Sequence, residues 1–142
     1  MKVKDIMTTS IKTAHPENKA YETAKTMKDF DIGMVPVIQD SNVVGVLTDR
    51  DISLRVVANG NDPKVVNVGD VMTTDAYYCY EDQDIKELSQ VMKEFQVRRV
   101  LVYNRDKKLA GICSIGDLAK FDDTGEISSD VLMKVSEPEF NL

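Results

Sequence analysis

Residues 3–9 of the chain read Val-Lys-Asp-Ile-Met-Thr-Thr, and residues 68–74 read Val-Gly-Asp-Val-Met-Thr-Thr. The second copy starts 65 residues after the first, at residue 68 against residue 3. Further pairs keep the same spacing: Met27 and Met92, Phe30 and Phe95, Val35 and Val100, Val37 and Val102. Because one register holds across so many positions, we interpret the chain as an internally duplicated half.

After the pair Val37 and Val102 the spacing changes from 65 to 66 residues. One extra residue in the polar turn at residues 104–108 accounts for the change. Gly45 then matches Gly111, and Asp51 matches Asp117. Residues 60–63 read Gly-Asn-Asp-Pro, which is the composition of a linker. We therefore expect a first repeat at residues 1–62, a second at residues 63–124, and a C-terminal helix and tail at residues 125–142.

Each repeat predicts the element order β-α-β-β-α. An extended piece is expected at residues 11–14 and 76–79, followed by a helix whose apolar residues are spaced three and four apart. Those residues are Ala20, Ala24, Met27 and Phe30 in the first repeat, and Ile85, Leu88, Met92 and Phe95 in the second. A hairpin follows at residues 34–47 and 99–113, and the final helix begins at the shared aspartate.

The fold class that follows is mixed α/β (α+β). A small sheet with helices on one face leaves its other face uncovered, so we expect the two repeats to pack sheet to sheet with pseudo-two-fold symmetry. Ile127, Val131 and Val135 are spaced i, i+4, i+8 and predict a short C-terminal helix that docks back.

The composition, with 42% apolar and 30% charged residues among 142, is that of an ordinary folded domain. A net charge of −6 disfavours nucleic acid as a partner. Cys79 and Cys113 lie in apolar runs without metal spacing, which predicts buried reduced thiols. No apolar run is long enough for a membrane span or a signal peptide, so we expect no membrane insertion and a cytoplasmic location.

Catalytic residues are not evident. His15 is the only histidine and precedes Pro16 in a predicted loop, so no Ser-His-Asp or Cys-His set can be built. The acidic stretch at residues 81–84 precedes a helix whose dipole it complements, and no spacing there requires a metal. We therefore expect no enzymatic activity, no catalytic cofactor and no metal site.

A hydroxyl stands three residues before a carboxylate at both strand-to-helix junctions: Thr48 before Asp51, and Ser114 before Asp117. A hydroxyl and a helix start suit a phosphate, and a carboxylate suits the paired hydroxyls of a ribose. The same pattern also forms a capping box that ties off a helix start. Duplication would copy a cap as readily as a site, so both interpretations are open.

The pattern as a whole resembles a tandem pair of cystathionine-β-synthase (CBS) domains, also called a Bateman module. The shared features are the two Met-Thr openings, the Gly-Met-Val-Pro-Val run at residues 33–37, the Arg-Arg-Val-Leu-Val run at residues 98–102, and the runs at residues 45–51 and 111–117. The chain is especially similar to stand-alone bacterial CBS-pair proteins. The resemblance implies a regulatory module that takes AMP, ADP, ATP or another adenosyl ligand in a cleft between the repeats.

The resemblance also implies which residues form two related pockets. In one, Asp117 would hold the ribose, Ser114 and Arg99 would face the phosphate, and the base would lie among Ala76, Tyr77, Val97 and Ile112. In the other, Asp51 and Thr48 would take the same roles, with Ile11, Lys12, Ile32 and Val46 around the base. Met34 stands where Arg99 stands, so the second of these pockets lacks that cation unless Arg50 substitutes for it. We therefore favour the Asp117 pocket for a phosphorylated ligand.

The helix predicted at residues 51–59 carries two apolar stripes, Ile52 with Val56 and Leu54 with Val57 and Ala58. One stripe needs cover from outside its own half, and CBS pairs usually dimerise through these helices, so we expect a homodimer. The predicted function is signal transduction, in which a bound adenine nucleotide is read by a separate effector protein. The alternatives are a ligand-free interaction or scaffold protein, or a module for S-adenosylmethionine or NAD.

Overall fold

The computed structural model describes residues 1–138 and divides into two compact units. One, called here the Asp51 unit, comprises Ile11–Ala76. The other, the Asp117 unit, comprises Met1–Ser10 together with residues 77–138. These two units are defined by packing, whereas the three parts expected above are defined by sequence similarity. The boundaries of those three parts stay a prediction.

The Asp51 unit is built around one hairpin. Its elements are α1 (Ala20–Phe30), β1 (Met34–Gln39), β2 (Asn42–Thr48), α2 (Asp49–Asp51), a π-helical segment (Ile52–Val57) and α3 (Val68–Val71). Strands β1 and β2 are antiparallel. Asp40 and Ser41 form the two-residue turn with φ of 51° and 66°, the left-handed pair that matches the twist of a tight hairpin.

The Asp117 unit contains a three-stranded sheet in the order β3-β4-β5. Its elements are a 3-10 turn (Val3–Asp5), β3 (Tyr78–Tyr80), α4 (Ile85–Phe95), β4 (Arg99–Tyr103), β5 (Leu109–Ser114), α5 (Ile115–Phe121) and α6 (Glu126–Val135). Strand β3 is parallel to β4, and β4 is antiparallel to β5. The predicted β-α-β-β-α order is therefore confirmed in the second repeat, and α6 confirms the C-terminal helix, with Val131 fully buried.

The two repeats exchange their opening segments, so that each unit contains the Met-Thr-Thr segment of the other repeat. The backbone N–H of Thr8 donates to Ile112 O at 2.8 Å and that of Ile112 donates to Thr8 O at 3.0 Å. Thr73 and Val46 form the same pair of bonds, both at 2.8 Å. Each Met-Thr-Thr segment thus lies against the hairpin of the other repeat, an arrangement that the sequence analysis did not predict.

The first strand expected at residues 11–14 is reduced to a single parallel bridge between Ala14 and Val37. In the Asp117 unit the ladder continues on both sides, because Leu101 N donates to Tyr77 O and Glu81 N donates to Tyr103 O. Pro36 and Pro16 stand at the positions of Leu101 and Glu81 and have no N–H to donate. Two prolines therefore remove both neighbouring ladder bonds.

Each unit has its own apolar core beneath its helices. Met27 of α1 and Met92 of α4 are buried as predicted, but Phe30 and Phe95 are not, with 54% and 42% of their surfaces exposed. The reason is that these phenylalanines end their helices and lie beside residues 12 and 77 instead.

The final helices begin two residues earlier than expected, at Asp49 and Ile115. The shared aspartates occupy the third helical position, since Thr48 and Ser114 are the N-caps. Of the residues 51–59 predicted as α-helix, Ile52–Val57 is a π-helix, in which Ala58 N donates to Ser53 O and Asn61 N donates to Val56 O. Across residues 1–138, no helix has the length and apolar character needed to cross a bilayer.

Candidate functional site

Both strand-to-helix junctions form complete capping boxes. Thr48 Oγ1 accepts from Asp51 N at 3.1 Å, and Asp51 Oδ2 accepts from Thr48 N at 3.0 Å. Ser114 Oγ accepts from Asp117 N at 3.1 Å, and Asp117 Oδ2 accepts from Ser114 N at 2.9 Å. The capping interpretation is therefore correct, and it uses one carboxylate oxygen of each aspartate.

The two aspartates differ in what contacts the remaining oxygen. The Thr73 hydroxyl lies 3.0 Å from Asp51 Oδ1 and 3.1 Å from Oδ2 and donates to the carboxylate. The Arg55 guanidinium forms an ion pair with Oδ1 at 3.9 Å. Asp51 is 7% exposed, so its carboxylate is enclosed by these protein groups.

Asp117 has neither neighbour. Thr8 is the counterpart of Thr73, but its hydroxyl donates to no described residue, and Phe121 stands where Arg55 stands. Within residues 1–138, Asp117 Oδ1 accepts no hydrogen bond and Asp117 is half-buried. The Asp117 carboxylate therefore keeps one oxygen with open acceptor capacity.

Strand pairing and backbone hydrogen bonds fix the positions of several other residues predicted for this site within the Asp117 unit. Arg99 pairs with Ser114 across β4 and β5, and Arg98 O accepts from Ile115 N at 2.9 Å. Val97 follows the left-handed residue Gln96, and its N–H donates to Met92 O at 3.1 Å. Val97 is thus fixed at the end of α4, directly before the strand that carries Arg99.

Tyr77 and Ile112 flank Leu101 of β4. Leu101 N donates to Tyr77 O at 3.1 Å, and Ile112 is the partner of Leu101 across β4 and β5. The Tyr77 ring stacks on Phe95, with ring centroids 4.1 Å apart and planes 12° from parallel. Ala76, predicted beside the base, ends the Asp51 unit, and its role stays a prediction.

The counterpart residues of the Asp51 unit are arranged by the same backbone contacts. Met34 pairs with Thr48, Asp49 N donates to Gly33 O, and Ile32 N donates to Met27 O. Val46 is buried in β2, Ile11 is half-buried, and Arg50 lies exposed on α2. The Lys12 ammonium lies 4.1 Å from the centroid of the Phe30 ring, so a cation replaces the aromatic ring that Tyr77 supplies.

Neither cysteine is available as a nucleophile. Burial, with a smaller contribution from the Glu87 charge, raises the pKa of the Cys79 thiol to about 12. Burial also raises the pKa of Cys113, and the nearby Asp117 and Cys79 add to that effect. His15 lies exposed in a turn where Nδ1 accepts from Glu17 N, as its loop position predicted. Residues 1–138 contain no group of three His, Cys, Asp or Glu side chains arranged to hold a metal.

Comparison with known families identifies the repeat. The CBS domain matches residues 3–58 and again residues 68–123. The chain belongs to the CBS domain family. The two CBS domains coincide with the two copies of the sequence repeat, which confirms the resemblance and the tandem arrangement.

Relatives and solved structures of similar length resemble the chain along most of its sequence. The CBS domain-containing protein YhcV of Bacillus subtilis is 35% identical over 134 residues, covering 94% of each chain. A crystal structure of Hypoxic Response Protein I with two coordinated zinc ions is 33% identical, covers 85% of this chain and 98% of that one, and superposes with a TM-score of 0.75. A putative signal-transduction protein with CBS domains from Burkholderia ambifaria is 27% identical, with coverages of 89% and 96% and a TM-score of 0.81.

The sequence analysis did not predict two residues that contact Asp51, namely Thr73 and Arg55. Thr73 belongs to the repeated Met-Thr-Thr segment, which signalled duplication but not which hairpin it would contact. Arg55 stands four residues after Asp51, the spacing of a helical ion pair, and that signal was present in the sequence. Phe30 and Phe95 were predicted only as members of apolar helix stripes, and their contacts with Lys12 and Tyr77 were not predicted.

Proposed function

We propose that this CBS pair is a regulatory module that binds an adenine nucleotide at the Asp117 site. Binding of adenosyl ligands is typical of the family. The observation that carries the proposal is Asp117 Oδ1, which accepts no hydrogen bond from residues 1–138 although Oδ2 completes the capping box. A carboxylate oxygen accepts two hydrogen bonds, which suits the paired hydroxyls of a ribose.

The neighbouring groups suit the rest of such a ligand. The Ser114 hydroxyl oxygen accepts from Asp117 N, so its hydrogen can be donated to a phosphate oxygen. The Arg99 guanidinium, on the strand position opposite Ser114, supplies positive charge for the same phosphate. Val97, Ile112 and the stacked Tyr77 supply apolar and aromatic surface for a base. The ligand is AMP, ADP or ATP, with S-adenosylmethionine and NAD as the adenosyl alternatives.

The Asp51 unit carries the related site, with Thr48, Val46, Ile32, Lys12, Ile11 and Arg50 in the corresponding positions. Buried Met34 replaces Arg99 there, so a phosphate would lack its strand cation. We expect this site to bind a phosphorylated ligand more weakly than the Asp117 site.

Thermal melts of the purified chain with AMP, ADP, ATP, S-adenosylmethionine and NAD test the proposal. A ligand at a hundred times its dissociation constant adds about 2.7 kcal/mol to the free energy of unfolding, which shifts the melting temperature by several degrees. We expect a selective rise with one or more adenine nucleotides. No rise with any compound would contradict the proposal.

Two variants of Asp117 separate the ligand contact from the cap. Asp117→Ala removes both, whereas Asp117→Asn keeps a carbonyl oxygen that can accept from Ser114 N. We expect both variants to lose nucleotide affinity, by at least about tenfold for the asparagine, because the charged acceptor is gone. If Asp117→Asn binds AMP as tightly as the parent, the site is wrongly assigned.

A second candidate function is a ligand-free interaction protein. Both capping boxes are complete without any ligand, which favours a structural role for Asp51 and Asp117. Several apolar side chains are also exposed, namely Leu54 and Val57 in the Asp51 unit, and Phe121, Leu132 and Met133 in the Asp117 unit. The melts separate the two functions, because a ligand-free protein gains no stability from any nucleotide.

The exposed apolar residues also support a homodimer. Large apolar side chains left in contact with water are stabilised by a partner surface, and a second copy of the chain provides one. The other partner is an effector protein that reads the bound state, and we expect no catalysis. Light scattering coupled to size-exclusion chromatography measures the molar mass, and that of one chain would contradict the dimer.

A further inference from the structure

We infer that Thr73 and Arg55 occupy the Asp51 site with groups of the protein itself, so that each chain takes up one nucleotide, at Asp117. This inference rests on the proposed function and adds what determines which of the two sites is used. The two aspartates form the same capping box but differ in the groups that surround them.

The Thr73 hydroxyl occupies the place of a ligand hydroxyl. It donates to the Asp51 carboxylate from 3.0 Å, which is the interaction that a ribose hydroxyl would make with the same oxygens. Thr73 is held there by its backbone, through two bonds of 2.8 Å to Val46. The Thr73 hydroxyl belongs to the same chain, so its contact with Asp51 costs no translational or rotational entropy of association. A ribose pays that entropy when it binds, and it must also displace the Thr73 hydroxyl.

Arg55 also holds the Thr73 segment against Asp51. Its Nη1 donates to Val71 O at 3.1 Å and to Met72 O at 2.9 Å and lies 3.9 Å from Asp51 Oδ1. Arg55 thus ties the segment before Thr73 to the π-helix and places a positive charge beside the carboxylate. Removing the segment from Asp51 would leave two carbonyls, a hydroxyl and a guanidinium without these partners.

The Asp117 unit supplies the natural comparison. Thr8 makes the same two backbone bonds to Ile112 that Thr73 makes to Val46, yet its hydroxyl does not reach Asp117. Phe121 replaces Arg55 and cannot donate to the carbonyls of Ile6 and Met7, and its ring is 44% exposed. Two differences therefore separate the closed site from the open one: the hydroxyl contact that Thr73 makes and Thr8 does not, and the arginine at residue 55 in place of phenylalanine.

The test is the stoichiometry of nucleotide binding, measured by isothermal titration of the full chain with AMP and, separately, with ATP. We expect one nucleotide per chain for the parent, and two for Thr73→Val combined with Arg55→Phe, which removes the hydroxyl that contacts Asp51 and places at residue 55 the phenylalanine that the other repeat carries at residue 121. Thr73→Ser keeps the hydroxyl and is the matched control, expected to stay at one. In the opened variant, Asp117→Ala should leave one nucleotide, bound at Asp51.

The reverse graft gives a second readout. Phe121→Arg places a guanidinium beside Asp117, where it can pair with the carboxylate and reach the carbonyls of the opening segment. We expect AMP affinity at Asp117 to fall by about tenfold or more, while Phe121→Leu, which carries no charge, leaves it within about threefold. Circular dichroism and a thermal melt verify that each variant is folded.

The outcomes distinguish the inference from the function on which it rests. Two nucleotides per parent chain, or one per folded opened variant, would overturn the inference and leave nucleotide binding intact. Binding by the opened variant but not by the parent would overturn the Asp117 assignment and support closure of Asp51. Absence of AMP and ATP binding in every folded variant would overturn both.

Discussion

Gly111 lies directly against Met7, in a position where no larger residue fits. A Cβ added to Gly111 would lie 2.7 Å from Met7 Sδ and 2.9 Å from the Thr8 carbonyl oxygen. Gly45 is related to Met72 in the same way, with 2.8 Å to Sδ and 2.8 Å to Thr73 O. The exchanged opening segments cross the second hairpin strands at these glycines, which explains why both repeats carry one there.

Gly111→Ala should therefore destabilise the protein by about 2 kcal/mol, because the segment must move away from β5 to make room. Urea unfolding measures the change. Gly116→Ala is the matched control, since its Cβ would meet only Ser114 Oγ, at 3.5 Å, and alanine is the better helix former. Equal effects of the two substitutions would contradict the crossing.

Asp51→Ala should cost more stability than Asp117→Ala. Replacing Asp51 removes the bond to Thr48 N and leaves the Thr73 hydroxyl and Arg55 without their acceptor, a loss of about 2 kcal/mol. Replacing Asp117 removes one cap bond, worth about 1 kcal/mol. Denaturation midpoints in the absence of nucleotide check the order, and a larger loss for Asp117→Ala would refute the proposed difference.

Pro36→Leu should extend the parallel pairing in the first repeat. The substitution supplies an N–H that can donate to Lys12 O, as Leu101 N donates to Tyr77 O in the second repeat. We expect the new amide at residue 36 to be protected from hydrogen exchange by a factor of ten or more. Exchange of that amide as fast as in an unfolded peptide would show that proline is not what interrupts the strand.

The thiols should resist modification in the folded protein. The pKa of Cys79 is about 12 because of burial, so at pH 8 neither an accessible nor an ionised sulfur is present. A chromogenic disulfide reagent should label both cysteines in urea and neither in buffer. Rapid labelling of the native chain would contradict the buried positions of β3 and β5.

The raised Cys79 pKa also sets a direction for stability against pH. The unfolded chain ionises this thiol near the ordinary value of 9.0, and the folded chain ionises it only near 12. The contribution of the protonated Cys79 thiol to the free energy of unfolding is therefore fully present below pH 9 and is lost as pH rises from about 9 to about 12. Denaturation of the parent and of Cys79→Val across that range isolates it, and parallel curves would contradict it.

Local features were predictable from the sequence because their causes lie within a few residues. The helix spacing of Leu88 and Met92 and the capping pattern of Ser114 and Asp117 are both set by neighbours three or four positions apart. The shortening of the first strand also has a local cause, the prolines at positions 16 and 36. Their effect became apparent only when the hydrogen bonds of the two repeats were compared.

The sequence by itself thus determined the duplication, the element order and the family. What only the tertiary structure decided is which repeat each Met-Thr-Thr segment contacts, and hence that Thr73 reaches Asp51 across 22 residues of chain while Thr8 stops short of Asp117. Such contacts depend on the path of the whole chain and not on local spacing. Of two sites with the same motif, therefore, only the Asp117 site keeps a carboxylate oxygen that accepts no hydrogen bond from residues 1–138. The repeat pattern alone does not predict that difference.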